Sequence, residues 1–369
     1  MQNRKSILIL VDNLRIGGIQ RLVLDECYSL EEFKIDHQIV SLSPVNLDDS
    51  MMTVDSGYSK SKTIKIDYLV GNKIQQIKTL TKYLSKNYDL VVTHSTTGAA
   101  LIWFARAIMF KQIKIHLYIH QLISLSSKMQ ANKRLFYSIF ANSIFVSSDQ
   151  FRMELEDYIN RTYWRVIIKK KITFDRMGVF IPRLKDTEKN VMCSGNSPHL
   201  IFASRLTAWK GYKNYLKICE MYPKVFHQAI ITSYNFKSNE IQSSDKLSDN
   251  IHLYLGKGPA CFEYTDNSIH IYPTAYGGSV KFPQSIGMNV LEFIALGVPS
   301  IISDEGFESW PEIKGNPIVQ VCNWDNETEV QKIIQSILNM SQEDKIKSSV
   351  MLHEIISIDN HVKNLMRSL

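Results

Sequence analysis

A glycine and a carboxylate flank the start of one predicted helix in the second half of the chain. Residues 288–296 have the apolar spacing of a helix, Gly287 precedes them, and Gly297 with Pro299 ends the pattern. The first N–H groups of a helix are unpaired and favour anions, and a glycine lets a ligand approach them closely. Glu292, about one turn into the helix, is suited to accept two hydrogen bonds from a vicinal diol such as a ribose. A phosphate site next to a diol site indicates a nucleotide.

The same helix start has a purely structural interpretation. Asn289 stands three residues before Glu292, which is the spacing of a capping box in which the carboxylate bonds back to the start of its own helix. Spacing alone does not separate the two interpretations. Both the nucleotide contact and the cap therefore stay open at this point.

Two cations follow the predicted strand 199–203. Arg205 and Lys210 stand five residues apart just beyond the end of this strand. A guanidinium binds a phosphate as a two-pronged fork and an ammonium binds it as a point charge, so the pair suits a diphosphate. The alternative is a pair of exposed loop cations without a ligand.

Two further features stand at the ends of predicted strands in the first half. Gly17 and Gly18 separate the apolar strand 6–11 from a predicted helix, although a tight turn without a ligand explains them equally well. His94 and His120 each close a strand on its carboxyl side, which is where open α/β sheets bind ligands. A histidine at such a place also commonly has only a structural role.

Short apolar runs alternate with helix-length segments along the chain, which predicts parallel α/β sheets. The predicted strands are 6–11, 38–42, 63–66, 90–93, 115–119, 143–146, 199–203, 228–232, 251–255, 268–272, 299–302 and 318–321. The last helix is predicted over 342–367. At 369 residues the chain exceeds the usual size of one core, and the polar segment 183–198 marks a boundary. The sequence therefore predicts two Rossmann-like, doubly wound domains that face a central cleft.

The composition is that of an ordinary globular protein. With 44% hydrophobic and 21% charged residues, the chain fits neither the disordered nor the fibrous classes. Its five cysteines lie far apart without a Cys-x-x-Cys pair, which argues against a disulfide framework and a zinc site and favours a reducing compartment. No stretch has the length of a signal-peptide core or the ~20 apolar residues of a membrane span. We therefore expect a cytoplasmic protein.

The net charge of +7 is unevenly distributed. No acidic residue occurs between Asp89 and Asp149, whereas six cations and several aromatic residues do, and a second basic run covers 161–171. Two interpretations fit this pattern: a face that rests on an anionic membrane surface, which makes the protein peripheral to that membrane, and an ordinary solvated helix face. No nucleic-acid recognition motif accompanies the charge, so nucleic acid is not an expected partner.

The run from Gln284 to Pro299 resembles the signature of the GT-B glycosyltransferases of family 4, in which two glutamates stand eight residues apart. Glu292 matches the second glutamate, whereas Gln284 stands in place of the first. Arg205 and Lys210 are similar to the cations of the Gly-Arg-Leu and Lys-Gly motifs of that family. The resemblance covers nearly the whole chain and is strongest in its second half.

The resemblance implies roles for individual residues. The residues that it places at the reacting sugar and diphosphate are Arg205, Lys210, His120 and Gln284. The residues that it places around the bound nucleotide sugar are Glu292, Gly287, Met288, Asn289, Gly17 and Gly18. It also implies an acceptor-side domain over residues 1–185, a nucleotide-sugar domain over 190–354, and a last helix, about 355–369, that packs back on the first domain.

The resemblance implies a retaining glycosyltransferase that moves a sugar from a nucleoside-diphosphate sugar to a glycan or lipid-linked acceptor in the synthesis of surface polysaccharide or glycoconjugate. No two aspartates stand two residues apart, so the sequence lacks an Asp-x-Asp metal motif, and neither a metal nor another cofactor is expected. Gln284 lacks the charge of a carboxylate, which is compatible with an active enzyme, a different donor sugar or a degenerate domain retained for binding. Beside the transferase, two alternative functions stay open. These are a catalytically silent subunit that binds a nucleotide sugar, a glycan or a partner enzyme, and a nucleotide-sugar epimerase of the same fold.

Overall fold

The structure is a computed structural model. It describes residues 5–15, 17–44, 64–120, 127–186, 198–204, 210–222, 226–231, 251–255, 264–274, 286–303 and 310–369.

The first half of the chain forms a sheet of seven parallel strands in the order β3-β2-β1-β4-β5-β6-β7. These strands are β1 (Ser6–Val11), β2 (Asp36–Ser41), β3 (Ile66–Tyr68), β4 (Leu90–Thr93), β5 (Lys114–Tyr118), β6 (Ser143–Val146) and β7 (Ile172–Phe174). The strands β1 and β4 are buried along nearly their whole length, as the continuous apolar runs predict for strands covered on both faces. The sequence did not predict β7, which is only three residues long.

Helices cover both faces of this sheet. They are α1 (Gly18–Glu32), α2 (Lys73–Ser85), α3 (Thr96–Ile108), α4 (Lys128–Ser138), α5 (Asp149–Asn160) and α6 (Arg165–Lys169). The next helix, α7 (Ile181–Asp186), packs instead against the apolar core of the second half. The helices α2 to α5 each begin at an Asn or Ser side chain that accepts a hydrogen bond from the first turn. Apolar residues of α2 to α6 form one layer against the sheet, and α1 packs on the opposite face.

The second half forms a sheet of six parallel strands in the order β10-β9-β8-β11-β12-β13. These strands are β8 (His199–Ser204), β9 (Phe226–Ile231), β10 (Ile251–Leu255), β11 (Ser268–Tyr272), β12 (Ser300–Ile302) and β13 (Val319–Val321). Its helices are α8 (Tyr212–Met221), α9 (Met288–Ala295), α10 (Glu327–Leu338) and α11 (Gln342–Ile356). In each sheet the strand order reverses beside the first strand, which confirms the predicted doubly wound α/β arrangement.

The end of the chain differs from the prediction of one helix over 342–367. The helix α11 ends at Ile356, and a separate helix, α12 (Asp359–Ser368), follows. The break arises because the Val179 N–H donates to the Ile356 carbonyl at 2.8 Å, and the Ile358 N–H donates to the Val179 carbonyl at 2.9 Å. A Cβ on Gly178 would lie 1.9 Å from the Ile356 carbonyl oxygen, so only glycine allows this backbone approach.

The helix α12 lies against α1 on the first sheet. Val362 and Leu365 are buried in the same apolar layer as Leu24 and Tyr28 of α1. The chain therefore crosses between the two sheets twice, at 178–183 and at 356–358, and the two crossings pair with each other. None of the helices in the described part of the chain has the length and apolar character needed to cross a membrane.

Candidate functional site

Lys210 lies at the carboxyl end of the second sheet. Its ammonium group hydrogen-bonds the Tyr272 hydroxyl at the end of β11 and lies 4.8 Å from the centroid of that ring. The next residue, Gly211, has a positive φ of 73°, and a Cβ there would lie 1.5 Å from the Pro273 carbonyl oxygen. Glycine is therefore required at this position, and it lets the segment that carries Lys210 rest on the end of β11. The sequence predicted Lys210 but not its partner Tyr272.

The N-terminus of α9 lies beside Tyr272. Gly287 is the N-cap of this helix, and a Cβ there would lie 2.9 Å from the Tyr272 hydroxyl oxygen. Asn289 donates its side-chain amide hydrogen to the Ala203 carbonyl, and this amide nitrogen is 3.3 Å from Nε2 of His270. Asn289 therefore fixes the start of α9 to the end of β8 and does not cap its own helix. The structure thus brings Lys210, Tyr272 and the predicted anion-binding helix start together.

Glu292 of α9 belongs to a buried ion cluster between the two sheets. Its Oε1 is 2.8 Å from Nη2 of Arg183 on α7 and 3.5 Å from Nε of Arg21 on α1. Nε of Arg183 donates to Oδ1 of Asp25 on α1 at 2.9 Å, and the Phe180 N–H donates to the other oxygen of Asp25 at 3.1 Å. Burial raises the pKa of Glu292, and the two guanidinium groups oppose this rise.

The ion cluster argues against one of the two interpretations of Glu292, namely the capping box. The carboxylate bonds to Arg183 and not to the start of its own helix, so the predicted capping box is absent from the described residues of α9. Its Oε2 has no hydrogen-bond partner in the described part of the chain. That oxygen is the acceptor left for a diol, and the ribose contact stays a prediction.

Met288, the first residue of α9, is half-buried between the two halves of the chain. It packs both against the layer formed by α1 and α12 and against the core of the second sheet. Met288 therefore couples the position of the α9 N-terminus to the first sheet. The nucleotide contact of Met288 stays a prediction.

His120 and His94 follow the neighbouring strands β5 and β4. Nε2 of His120 is 2.8 Å from Nδ1 of His94, and the two rings stack with centroids 5.0 Å apart. Nε2 of His94 in turn lies 3.0 Å from Oε2 of Glu26 on α1, so His94 is held by the protein. Burial, and then the adjacent His94, keep the pKa of half-buried His120 well below its usual value. His120 is therefore a neutral group at the edge of the first sheet.

An ion-pair contact links Glu26 to the C-terminal helix. Oε1 of Glu26 lies 3.6 Å from Nε2 of His361 on α12, and Nδ1 of His361 lies 2.7 Å from Oδ2 of Asp175. Burial alone would raise the pKa of Glu26, but His361 and His94 lower it to about 2. Burial opposes a charge on His361, but Asp175 and Glu26 raise its pKa to about 9. Two carboxylates therefore enclose a protonated imidazole in the protein interior.

Gly17 and Gly18 form the start of α1. Gly17 is the N-cap, and its carbonyl accepts a hydrogen bond from the Arg21 N–H at 3.0 Å. Gly18 is exposed, and a Cβ there would meet no atom within 4 Å. The start of α1 is thus open on one side, and its predicted contact with a ligand stays a prediction.

Two of the predicted site residues, Arg205 and Gln284, lie outside the described residues. Within the described ranges, no group of three or more His, Cys, Asp or Glu side chains is arranged to hold a metal ion.

Sequence comparison and structure comparison give different results for this chain. No model of a protein family matches it, and no curated protein sequence is similar to it. Solved structures do match over the full length. The Anabaena protein Alr3699/HepE in complex with UDP-glucose has a TM-score of 0.71 at 11% identity, with 99% of this chain and 100% of that chain covered.

Two further solved structures match equally completely. A glycosyltransferase from Rickettsia africae ESF-5 has a TM-score of 0.67 at 16% identity, with 99% of this chain and 98% of that chain covered. An alpha-glucosyltransferase in complex with UDP-glucose and DNA containing an abasic site has a TM-score of 0.71 at 12% identity, with 99% of each chain covered. These similarities confirm the predicted GT-B fold of two Rossmann-like α/β domains.

Proposed function

We propose that this protein transfers a sugar from a nucleoside-diphosphate sugar to a glycan or lipid-linked acceptor. The observation that carries the proposal is the position of Lys210, Tyr272 and the α9 N-terminus at the carboxyl ends of β8 and β11. Open α/β sheets bind ligands at this edge. The similar solved structures include complexes with UDP and UDP-glucose, which supports a nucleotide sugar as the ligand.

The chemistry proposed for this edge is stabilisation of the diphosphate leaving group. The Lys210 ammonium and the N–H groups that follow Gly287 would lie against the departing oxygens, together with Arg205. Fixed positive groups of this kind act without reorganisation at the moment of bond cleavage, and no metal ion is needed for this role. Removal of one such contact typically costs ~3–4 kcal/mol of transition-state stabilisation.

His120 is proposed to contact the transferred sugar. Because its pKa lies well below the usual value, the imidazole is neutral at physiological pH and binds a hydroxyl without an ionic component. We assign no protein nucleophile, and we propose that the anomeric configuration is retained. Gln284 would bind a sugar hydroxyl through its amide, without the charge of a carboxylate.

The acceptor side is proposed to rest on a membrane through an aromatic patch of the first domain. The patch consists of Phe104 on α3, Phe136 and Phe140 at the end of α4, and Trp164 before α6, with neighbouring ring centroids 5.5 to 5.8 Å apart. Phe104 is 45% exposed and Phe136 is 41% exposed. Exposed aromatic rings in a contiguous group are typical of membrane or protein contacts.

Only part of the positive charge in this region is available for such a contact. The Lys111 ammonium donates to the carbonyl of Leu84 at 2.7 Å, and the Lys171 ammonium donates to two carbonyls at 2.7 Å, so both cations hold loops in place. Lys133 on α4 and Lys170 after α6 are exposed near the aromatic patch in the chain. These exposed cations would face anionic headgroups.

Sedimentation with phospholipid vesicles tests the membrane contact. The Phe104→Ser variant should bind vesicles that contain an anionic phospholipid several-fold less than wild type does, because it removes apolar area from the patch. Ile346→Ser is the matched control, because Ile346 is 50% exposed on α11 in the second domain. Equal sedimentation of both variants, or no preference for anionic vesicles, would contradict the membrane contact.

Calorimetric titration with UDP, GDP, ADP and their sugars, followed by a donor-hydrolysis assay, tests the donor site. Lys210→Ala should weaken nucleotide binding and lower the rate of sugar transfer or donor hydrolysis by ~10²- to 10³-fold. The control is Lys213→Ala, which removes an exposed ammonium from the first turn of α8. Loss of binding in both variants, or in neither, would argue against the assigned role of Lys210.

The same titration, followed by assays of donor hydrolysis and of donor-sugar conversion, separates the two other hypotheses. A catalytically silent subunit would bind a nucleotide sugar without releasing nucleoside diphosphate. An epimerase of the same fold would convert the donor sugar without an acceptor.

A further inference from the structure

A series of hydrogen bonds, with one ion-pair contact of 3.6 Å between Glu26 and His361, leads from His120 through the interior of the first domain to α12. It runs from His120 to His94, then to Glu26, to His361 and to Asp175. The side chains of His94, Glu26 and His361 have no solvent exposure. None of these three residues reaches solvent, so their common effect is on the group at the end of the series.

The first link fixes the protonated nitrogen of His94. Oε2 of Glu26 lies 3.0 Å from Nε2 of His94, and an ionised carboxylate can only accept a hydrogen bond. Nε2 of His94 must therefore carry the hydrogen of this bond. A neutral His94 then has an unprotonated Nδ1, which can only accept.

The hydrogen bond between His94 and His120 fixes the protonated nitrogen of His120 in the same way. Nδ1 of His94 accepts, so Nε2 of His120, at 2.8 Å, must be the donor. A neutral His120 protonated on Nε2 has a bare Nδ1. Within the described residues the His120 ring bonds through Nε2 to His94, which leaves Nδ1 as the ring nitrogen for a ligand.

The helix α12 supports the start of the series. His361 lies 3.6 Å from the remaining oxygen of Glu26, and its other ring nitrogen is held by Asp175 at 2.7 Å. Asp175 is held in turn by the Asn364 amide at 3.0 Å and the Tyr118 hydroxyl at 3.0 Å. A positive imidazole beside Glu26 keeps that carboxylate in the form that can only accept a hydrogen bond.

We propose that Glu26 and His361 are positioning residues that hold His120 as the tautomer protonated on Nε2, so that its Nδ1 accepts a hydrogen bond from the bound substrate. The substrate group at this position is therefore a hydrogen-bond donor, and a sugar hydroxyl is the group that fits. The identity of this group rests on the proposed function, whereas the tautomer of His120 does not. The C-terminal helix thus contributes to the substrate site without touching it.

NMR of the full chain labelled with ¹⁵N-histidine tests the tautomer without any ligand. Two-bond ¹⁵N–¹H correlations distinguish a protonated from a bare ring nitrogen, and His120→Gln and His94→Gln variants assign the signals. The expected result is a neutral His120 with hydrogen on Nε2 and a bare Nδ1. A hydrogen on Nδ1 of His120, or a doubly protonated His94 with a bare Nε2 on His120, would overturn the proposal.

Variants test whether Glu26 and His361 cause this state. Glu26→Gln places an amide that can donate as well as accept, and His361→Gln removes the positive imidazole, so each should replace the single His120 tautomer with a mixture. His116→Gln is the control, because His116 is buried on β5 two residues before Tyr118 but takes no part in the series. An unchanged His120 spectrum in the folded Glu26→Gln variant would contradict the role of Glu26, and the wild-type spectrum decides the tautomer even if that variant does not fold.

Kinetics with deoxy-sugar donors then test the contact. Glu26→Gln should lower kcat/KM about tenfold, which is roughly the loss of one neutral hydrogen bond. With the one deoxy donor that lacks the contacted hydroxyl, Glu26→Gln should have little further effect. An equal loss with every deoxy donor would refute the hydroxyl contact, whereas a failure of the proposed function would show as no turnover with any donor while the NMR result stands.

Discussion

Removal of the Arg183 side chain should destabilise the protein more than removal of an exposed arginine side chain does. Arg183 is 2% exposed and makes bonds of 2.8 to 3.3 Å to Asp25 and Glu292, whose side chains are also almost completely buried. The Arg183→Met variant keeps most of the side-chain volume but leaves two buried carboxylates without their shared cation. Breaking a buried ion pair by removing one partner typically costs about 3–5 kcal/mol.

Urea unfolding, followed by tryptophan fluorescence and far-UV circular dichroism, measures this cost. Arg152→Met is the matched control, because Arg152 pairs with Asp149 at 3.0 Å while both side chains are about half exposed. Such a surface pair contributes about 0–1 kcal/mol. We therefore expect Arg183→Met to lower the urea midpoint clearly and Arg152→Met to leave it close to wild type.

The double variant Arg183→Met with Glu292→Gln separates charge from packing. If the loss of the Arg183 charge beside the two buried carboxylates causes the destabilisation, neutralising Glu292 should restore part of the stability lost in Arg183→Met, so the two changes should be non-additive. Equal midpoints for Arg183→Met and Arg152→Met would refute the argument from buried charge. Strict additivity in the double variant would show that packing, and not charge, explains the loss.

Two further predictions concern backbone geometry and pH. Gly211→Ala should lower the free energy of unfolding in urea by at least about 1–2 kcal/mol and weaken nucleotide binding, because a Cβ would meet the Pro273 carbonyl. The control is Gly18→Ala, which should leave the stability close to wild type because a Cβ there meets open space. His361 has a folded pKa of about 9 against 6.5 in the unfolded chain, so its contribution is fully present below pH 6.5 and is lost as the pH rises through 9. Between pH 6.5 and 9 the free energy of unfolding should therefore fall less in His361→Gln than in wild type. Parallel pH profiles of the two proteins would contradict the raised pKa of His361. Glu26 acts at the other end of the scale, with a contribution present above pH 4.5 and lost as the pH falls through about 2.

The strands were predictable because each is encoded locally. A strand buried on both faces has a continuous apolar run, and β4, β6, β10 and β11 have the predicted bounds. The break between α11 and α12 was not predictable from local sequence, since it depends on backbone pairing with Val179, which is far away in the chain. The three-residue strand β7 is too short to show a period.

The residues of the candidate site also fall into two groups: those that local sequence predicts and those that only the fold brings together. Gly287 and Lys210 belong to local motifs, and the sheet edge that joins His94 to His120 follows from the neighbouring strands β4 and β5. The charged residues of α1 gave no such signal, because Asp25 and Glu26 within a helix are typical of an exposed face. Their partners lie on α7, α9 and α12, and only the fold brings them to α1.

Release of nucleoside diphosphate from a panel of UDP-, GDP- and ADP-sugars is the most direct test of the central claim. The measurement compares wild type with Lys210→Ala and Lys213→Ala, each purified as the full chain. We predict release from at least one donor by wild type and by Lys213→Ala, and release lower by two orders of magnitude or more in Lys210→Ala, in line with the typical loss of one such contact. Neither binding nor release with any donor in the wild type would contradict the proposal that this fold acts on nucleotide sugars.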